Sequence, residues 1–198
     1  SLLQGERKLG SWTSKESSFM LNNLFFVALT FGVFLGTIMP TISEAIQGNK
    51  MTVGADFFNR MATPIGMAIF LLIGVCTLLS WGKTTTQKLI SNFLVPAITA
   101  VASMIVLVLF GINHVTALFA FGIAIFATVT VLIDYAKGVL VRKKNSGLSL
   151  LGAIKSLTLR NQRRYGGHIV HIGVLLLFFG MIGSSAFVTE ITKTIRVG

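Results

Sequence analysis

Apolar residues in this chain fall in five long blocks, roughly Phe19 to Ile42, Met61 to Trp81, Phe93 to Ile112, Val115 to Tyr135 and Gly167 to Val188. Block length decides the class. About 20 apolar residues wound at about 1.5 Å each match the hydrocarbon thickness of a bilayer. A helix also satisfies its backbone hydrogen bonds internally, which a lipid interior demands. The pattern therefore predicts an all-α polytopic membrane protein with about five transmembrane helices, over 19–42, 61–81, 93–112, 115–135 and 167–188. Around them lie an N-terminal segment 1–18, a basic loop 136–166 and a C-terminal segment 189–198. In that last segment the rhythm changes: Ile191, Ile195 and Val197 alternate with Glu190, Thr192, Thr194 and Arg196. A period of two predicts a strand, here the start of a β-rich outer domain.

Prolines and glycines punctuate the blocks. Pro40 is expected to end the first helix, and Pro64 and Pro96 to sit near the starts of the second and third, where a missing donor costs little. Only Asn113 and His114 part the third and fourth blocks, which predicts a tight antiparallel hairpin. Gly32 and Gly36 have the spacing that lets membrane helices approach closely, and Gly166, Gly173 and Gly180 repeat every seven residues in the last block. Between Leu148 and Arg160, Leu148, Leu151, Ile154 and Leu157 recur at three-residue spacing beside Lys155 and Arg160, predicting a short helix on the membrane interface.

Composition supports the class: 53% of the 198 residues are hydrophobic and 12% charged. Charge adds orientation. Thirteen of the 17 Lys and Arg residues fall on one side of the alternating crossings, eight of them between Lys137 and Arg164. The other side holds four: Lys50, Arg60, Lys193 and Arg196. The positive-inside rule places the N-terminus in the cytoplasm and the C-terminus outside. The net charge of +11 thus sits beside membrane spans, so anionic lipids are the expected partners of the basic loop and nucleic acid is not. The single cysteine, Cys76, reads as packing. No cleavable signal peptide is visible, and a chain opening on Ser1 and stopping at Gly198 is expected to be a piece of a longer protein.

Candidate chemistry is sparse. The acidic residues are Glu6, Glu16, Glu44, Asp56, Asp134 and Glu190, none in mid-span, which disfavours an ion-coupled transporter. Asp134 reads as a solvated interface group within reach of Lys137, and His114 as an exposed turn residue. His168 and His171 sit at the start of the last block, His171 roughly 6 Å deeper than Gly167. An imidazole at that depth needs a partner, because lipid offers none. The residues leave two partners open: a hydrogen bond to a neighbouring helix, or haem iron. For haem, Gly167 and Val174 would leave room, Leu175 and Phe178 would form apolar walls, and Arg163 and Arg164 would meet the propionates. A metal pair of His168 and His171 lacks a third ligand in reach.

Three ordered segments add a family. Arg163-Arg164-Tyr165-Gly166-Gly167-His168-Ile169-Val170-His171-Ile172-Gly173 closely resembles a stretch of CcmF, the haem lyase subunit of cytochrome c maturation. Thr13-Ser14-Lys15-Glu16-Ser17-Ser18-Phe19-Met20-Leu21-Asn22-Asn23 resembles the family's S-[KR]-E-[SG]-x-x-L-x-N-N segment. Val53-Gly54-Ala55-Asp56-Phe57-Phe58-Asn59-Arg60, leading to Pro64, resembles its V-G-x-x-[FY]-[FY]-N stretch. The likeness covers nearly the whole chain.

The resemblance implies a subunit that attaches haem to apocytochrome c on the outer membrane face. It makes His171 an axial ligand of a b-type haem within the membrane, fed with electrons by quinol, with the second axial ligand outside this chain. It implies a haem chaperone and a thiol-handling subunit that presents apocytochrome c as partners. It assigns no ligand role to His168 or His114. The family's tryptophan-rich segment and its outer-face histidines are absent and would lie upstream, so this piece alone is expected to be inactive. Related proteins serving nitrite reductase maturation share the same segments. The competing expectation is a multi-pass transporter subunit without haem, and a weaker one a scaffold whose histidines only bond between helices.

Overall fold

The computed structural model describes residues 15–79 and 86–187, and every regular element in them is helical. In order these are α1 (Lys15–Gln47), α2 (Ala55–Leu78), α3 (Thr86–Leu109), α4 (Val115–Ser146), α5 (Leu150–Arg160), a π-helical turn (Gln162–Gly166) and α6 (Gly167–Ala186). Five stretches, in α1, α2, α3, α4 and the π turn with α6, are long and apolar enough to cross a membrane. The strand expected at 190–197, the outer domain it would open and the segment before Lys15 lie outside the described residues.

The helices run longer than the apolar blocks, and the prolines do not end them. Pro40 lies inside α1, which continues to Gln47 and stops where Gly48 turns left-handed at φ +68°, its N–H donating to the Glu44 carbonyl at 3.0 Å. Pro64 and Pro96 likewise sit well inside α2 and α3 rather than in their first turns. Each proline removes one helical bond, and tertiary packing outweighs that cost. Most of the expected loop 136–166 is also helical. α4 continues to Ser146, where Lys143 and Lys144 complement the negative helix end and Gly147, at φ +63°, caps it. Ser149 then caps α5, its hydroxyl accepting from the Gly152 N–H at 3.3 Å.

α4 is the hub. It packs on α2, α3, α5 and α6, while α1 lies chiefly along α2. Small residues make this possible: Ala120, Ala124, Ala127 and Thr130 are buried in α4. In lipid there is no hydrophobic drive between apolar helices, so close approach and dispersion hold them together. Ala120 and Ala124 meet Phe178 and Ile182 of α6, and Phe70 of α2 stacks on Phe178 with ring centroids 3.7 Å apart. A side chain at Gly74 would meet the Phe126 ring at 2.7 Å and the Ala127 Cα at 3.1 Å. The Gly32/Gly36 pair does mark a close contact, since a Cβ at Gly36 would meet the rings of Phe57 and Phe58 at 2.7 Å. The heptad of Gly166, Gly173 and Gly180 does not, for nothing described lies within 4 Å of a Cβ at any of them.

Large apolar side chains cover the outer faces of α1 and α3, including Phe31, Phe34, Ile98 and Ile105, as lipid contact requires. Hydroxyls on these faces are satisfied within their own helix: Thr30 donates to the Phe26 carbonyl at 2.8 Å and Thr37 to that of Val33 at 2.7 Å.

Gly74→Leu should therefore lower the unfolding temperature of the detergent-purified protein by several degrees, because overpacking against backbone costs about 1–3 kcal/mol. Adding Phe126→Ala should recover part of the loss, and a melting curve for each variant reads the difference.

Candidate functional site

One end of the bundle gathers the start of α1, the end of α2, the later turns of α4 and the start of α6. Two cross-links dock α5 onto α4 and so aim the chain that follows. Tyr135 donates its hydroxyl to Thr158 Oγ1 at 2.9 Å, and Thr158 in turn donates to the Ile154 carbonyl at 3.0 Å. Arg142 donates from Nε and Nη2 to Ser156 Oγ at 3.1 and 2.9 Å. The π turn then swings Tyr165 inward. It is buried with Val139, Ala153 and Leu157, and its hydroxyl lies against Gly138, where no side chain would fit.

That swing brings Arg164 and His168, one helical turn apart, onto Asp134. Arg164 Nη2 donates to both carboxylate oxygens at 3.0 Å. His168 Nε2 lies 2.8 Å from Oδ2, and its Nδ1 lies 2.9 Å from the Arg164 carbonyl. A carbonyl and a carboxylate can only accept, so both contacts are hydrogen bonds when both ring nitrogens carry hydrogen. Side-chain exposure grades the three: 11% for His168, 21% for Asp134 and 59% for Arg164. Arg164 also lies over the Tyr165 ring, 5.3 Å from its centroid. The expected neighbour of Asp134, Lys137, is not its partner. The carboxylate is the anchor of three chain segments rather than a solvated group.

His171 is in the opposite position. It lines a cavity of about 700 Å³ together with Gly167, His168 and Arg163, with Ser18 and Asn22 from α1, and with Cys76 and Thr77 from α2. That volume is in the range of small-molecule and cofactor sites. Its Nδ1 is buried without a hydrogen-bond partner among the described residues. A buried polar nitrogen left without a hydrogen bond carries a desolvation cost.

The sequence reading fares unevenly at this site. His171, Gly167, Arg163 and Arg164 do come together at one cavity. Arg164 is already bound to Asp134, so Arg163, exposed at the mouth, is the arginine without such a tie. Leu175 and Phe178 are not cavity walls, being buried in the helix core instead. Cys76, read as packing, lines the cavity. His114 stands at the far end, preceding the first residue of α4, roughly 30 Å along the axis from Asp134. No cluster of three metal-ligating side chains occurs among the described residues. Asp134 was singled out but given the wrong partner and surroundings, and the structural role of His168 was missed. A signal existed: Asp134 is the one acidic residue between Asp56 and Glu190, facing a loop crowded with cations.

A double-mutant cycle on Asp134 and His168 should give a coupling of about 1–2 kcal/mol in thermal unfolding. The cycle with the more exposed Arg164 should give less than about 1 kcal/mol, owing to solvent screening. The order of the two couplings is the checkable result.

No family model matches the chain, and no solved structure does. Curated relatives do. It is 27% identical over 190 residues to the cytochrome c-type biogenesis protein CycK of Rhizobium meliloti, covering 93% of this chain and 27% of that one. To the cytochrome c-type biogenesis protein CcmF of Pseudomonas fluorescens it is 26% identical over 172 residues, 87% of this chain and 25% of the relative. To CcmF of Escherichia coli it is 34% identical over 121 residues, 60% and 18% of the two chains. The chain spans about a quarter of the length of the relatives it matches most fully. Over most of its length, then, this is a chain similar to the CcmF and CycK cytochrome c-type biogenesis proteins, the family resemblance that its three segments carry.

Proposed function

We propose that this chain is the part of a cytochrome c-type biogenesis protein that holds a b-type haem in the membrane, with His171 as one axial ligand. One observation carries the reading: the imidazole of His171 lines a cavity of about 700 Å³, and neither of its ring nitrogens has a hydrogen-bond partner among the described residues. His168, three residues away, has both ring nitrogens occupied by Asp134 and the Arg164 carbonyl. Of the two neighbouring histidines, only His171 is available to a ligand.

The remaining residues fit the group. Gly167 leaves open space beside the ring, with nothing described within 4 Å of where a Cβ would stand. Arg163 and Lys15 place positive charge on the rim, suited to propionates. Bound there, haem supplies one-electron chemistry, with its potential tuned by the axial ligand and the surrounding burial. The protein's part is to hold the His171 ring in place, keep lipid out through α1 and α2, and present cations to the carboxylates. On this reading the chain faces the cytoplasm with its basic end, and the whole protein takes part in attaching haem to apocytochrome c, drawing electrons from quinol. Its partners are a haem chaperone and a thiol-handling subunit that presents apocytochrome c.

The full-length protein, purified in detergent, should show a b-type band in a reduced-minus-oxidised spectrum. His171→Ala should remove most of that band while leaving the melting temperature within a few degrees, and His171→Gln should not restore it. A spectrum unchanged by His171→Ala, or no chromophore in the parent protein, overturns the assignment.

A further inference from the structure

A second concavity also borders Asp134, sharing only that residue and Arg164 with the lining of the His171 cavity. This groove, about 380 Å³, runs between the last turns of α4 and the α5–α6 junction, lined by Lys137, Val141, Arg142, Asn145, Arg164 and Tyr165. Three of those side chains are cations. The one carboxylate at its inner end, Asp134, is already bonded to Arg164 and His168. The cations keep free donors. Arg142 uses Nε and Nη2 on Ser156, Arg164 uses only Nη2 on Asp134, and Lys137 is exposed with no partner among the described residues. Fixed guanidinium donors beside an ammonium suit a phosphate oxygen cluster.

Position along the helix identifies where such a phosphate would come from. Lys137 and Arg142 lie 22 and 27 residues beyond Val115, the first residue of α4, or about 33 and 40 Å along its axis. A hydrocarbon core is about 30 Å thick and the bilayer with head groups about 40–45 Å, so the groove falls at head-group depth when Val115 marks the opposite edge. The surroundings agree. Val141, which lines the groove, is 60% exposed, and Leu150 and Leu151 at the start of α5 are exposed as well, apolar surface suited to acyl chains rather than to water. Of the stripe read along this segment, only Ile154 and Leu157 face the protein.

We propose that the groove between α4 and the α5–α6 junction is a binding site for the phosphate head group of an anionic phospholipid, held by Lys137, Arg142 and Arg164. A lipid seated there brackets the α4–α5–α6 corner from the membrane side. The proposal stands apart from the haem reading, since it shares with it no residue but Arg164 and Asp134, neither altered in its test.

The test uses the full-length protein in neutral detergent, titrated with phosphatidylglycerol, with phosphatidylcholine or with inorganic phosphate, and followed by melting temperature and by native mass spectrometry of retained lipid. Phosphatidylglycerol is expected to raise the melting temperature and to be retained at about one molecule per protein. Lys137→Gln should weaken the apparent affinity about fivefold, the effect of one interfacial cation. Lys155→Gln removes the same charge from the exposed side of α5, outside the groove, and should change it less than twofold. Equal weakening by both variants means diffuse attraction and overturns the site. So does equal stabilisation by phosphatidylcholine, or protection by inorganic phosphate without protection by phosphatidylglycerol.

Discussion

A carboxylate at the edge of a bilayer has few lasting partners outside the protein, so whatever meets Asp134 decides how the helices around it fit. Here two side chains one turn apart on a different helix meet it, Arg164 through both oxygens and His168 through one. Because those residues bracket the entry to α6, the contact fixes both the rotation and the depth of that helix. α5 contributes by delivering the chain to the right place, through Tyr135–Thr158 and Arg142–Ser156. The orientation of His171 follows from these contacts, for a helix pinned at positions 164 and 168 has no freedom left at position 171.

The bundle divides its work by position along the helices. Toward the middle, contact is made by small residues and rings: Ala120, Ala124 and Gly74 against Phe178 and Phe126. At the α1–α2 turn, Ser43 donates to the Pro40 carbonyl and accepts the Met51 N–H, both at 2.9 Å, closing the connection with no buried hydroxyl unsatisfied. The Val53–Arg60 segment of the family resemblance serves that packing, its Phe57 and Phe58 lying on Gly36. The Thr13–Asn23 segment differs, because Lys15, Ser18 and Asn22 reach the same cavity as His171. Two of the resembling segments therefore meet at the site, while a third braces the opposite end of α1 and α2.

Hydrophobic block length carried most of the fold. It placed five crossings in the right order, since a membrane span has to be both long and apolar. Helix ends were less legible. Pro40 suggested a stop that packing and Gly48 actually set seven to eight residues later, and the apolar criterion ended the fourth helix at Tyr135 although α4 runs to Ser146. Polar residues can extend a helix beyond lipid at no cost, so hydropathy does not report where such a helix ends. At the site, His171 was legible from its depth in the last block, because an imidazole there demands a partner. Asp134 was not. Its neighbours in sequence suggested Lys137, three residues away, whereas its partners lie 30 and 34 residues on. Long-range pairs of this kind depend on how α5 folds the chain back, which no local spacing encodes.

Two histidines three residues apart thus have different fates for a single geometric reason. Positions 164 and 168 lie one helical turn apart and share a face, so whatever holds one can hold the other. Position 171 is three residues beyond 168, rotated enough to leave the Asp134 contact and enter the cavity between α6 and the first two helices. Were Asp134 placed one turn deeper, it would meet His171 instead of His168. A carboxylate held at the rim, bonded to the outer histidine, leaves the inner one open while still fixing its direction. An imidazole aimed by a neighbour yet bonded to nothing described is the arrangement that the proposed haem ligation requires.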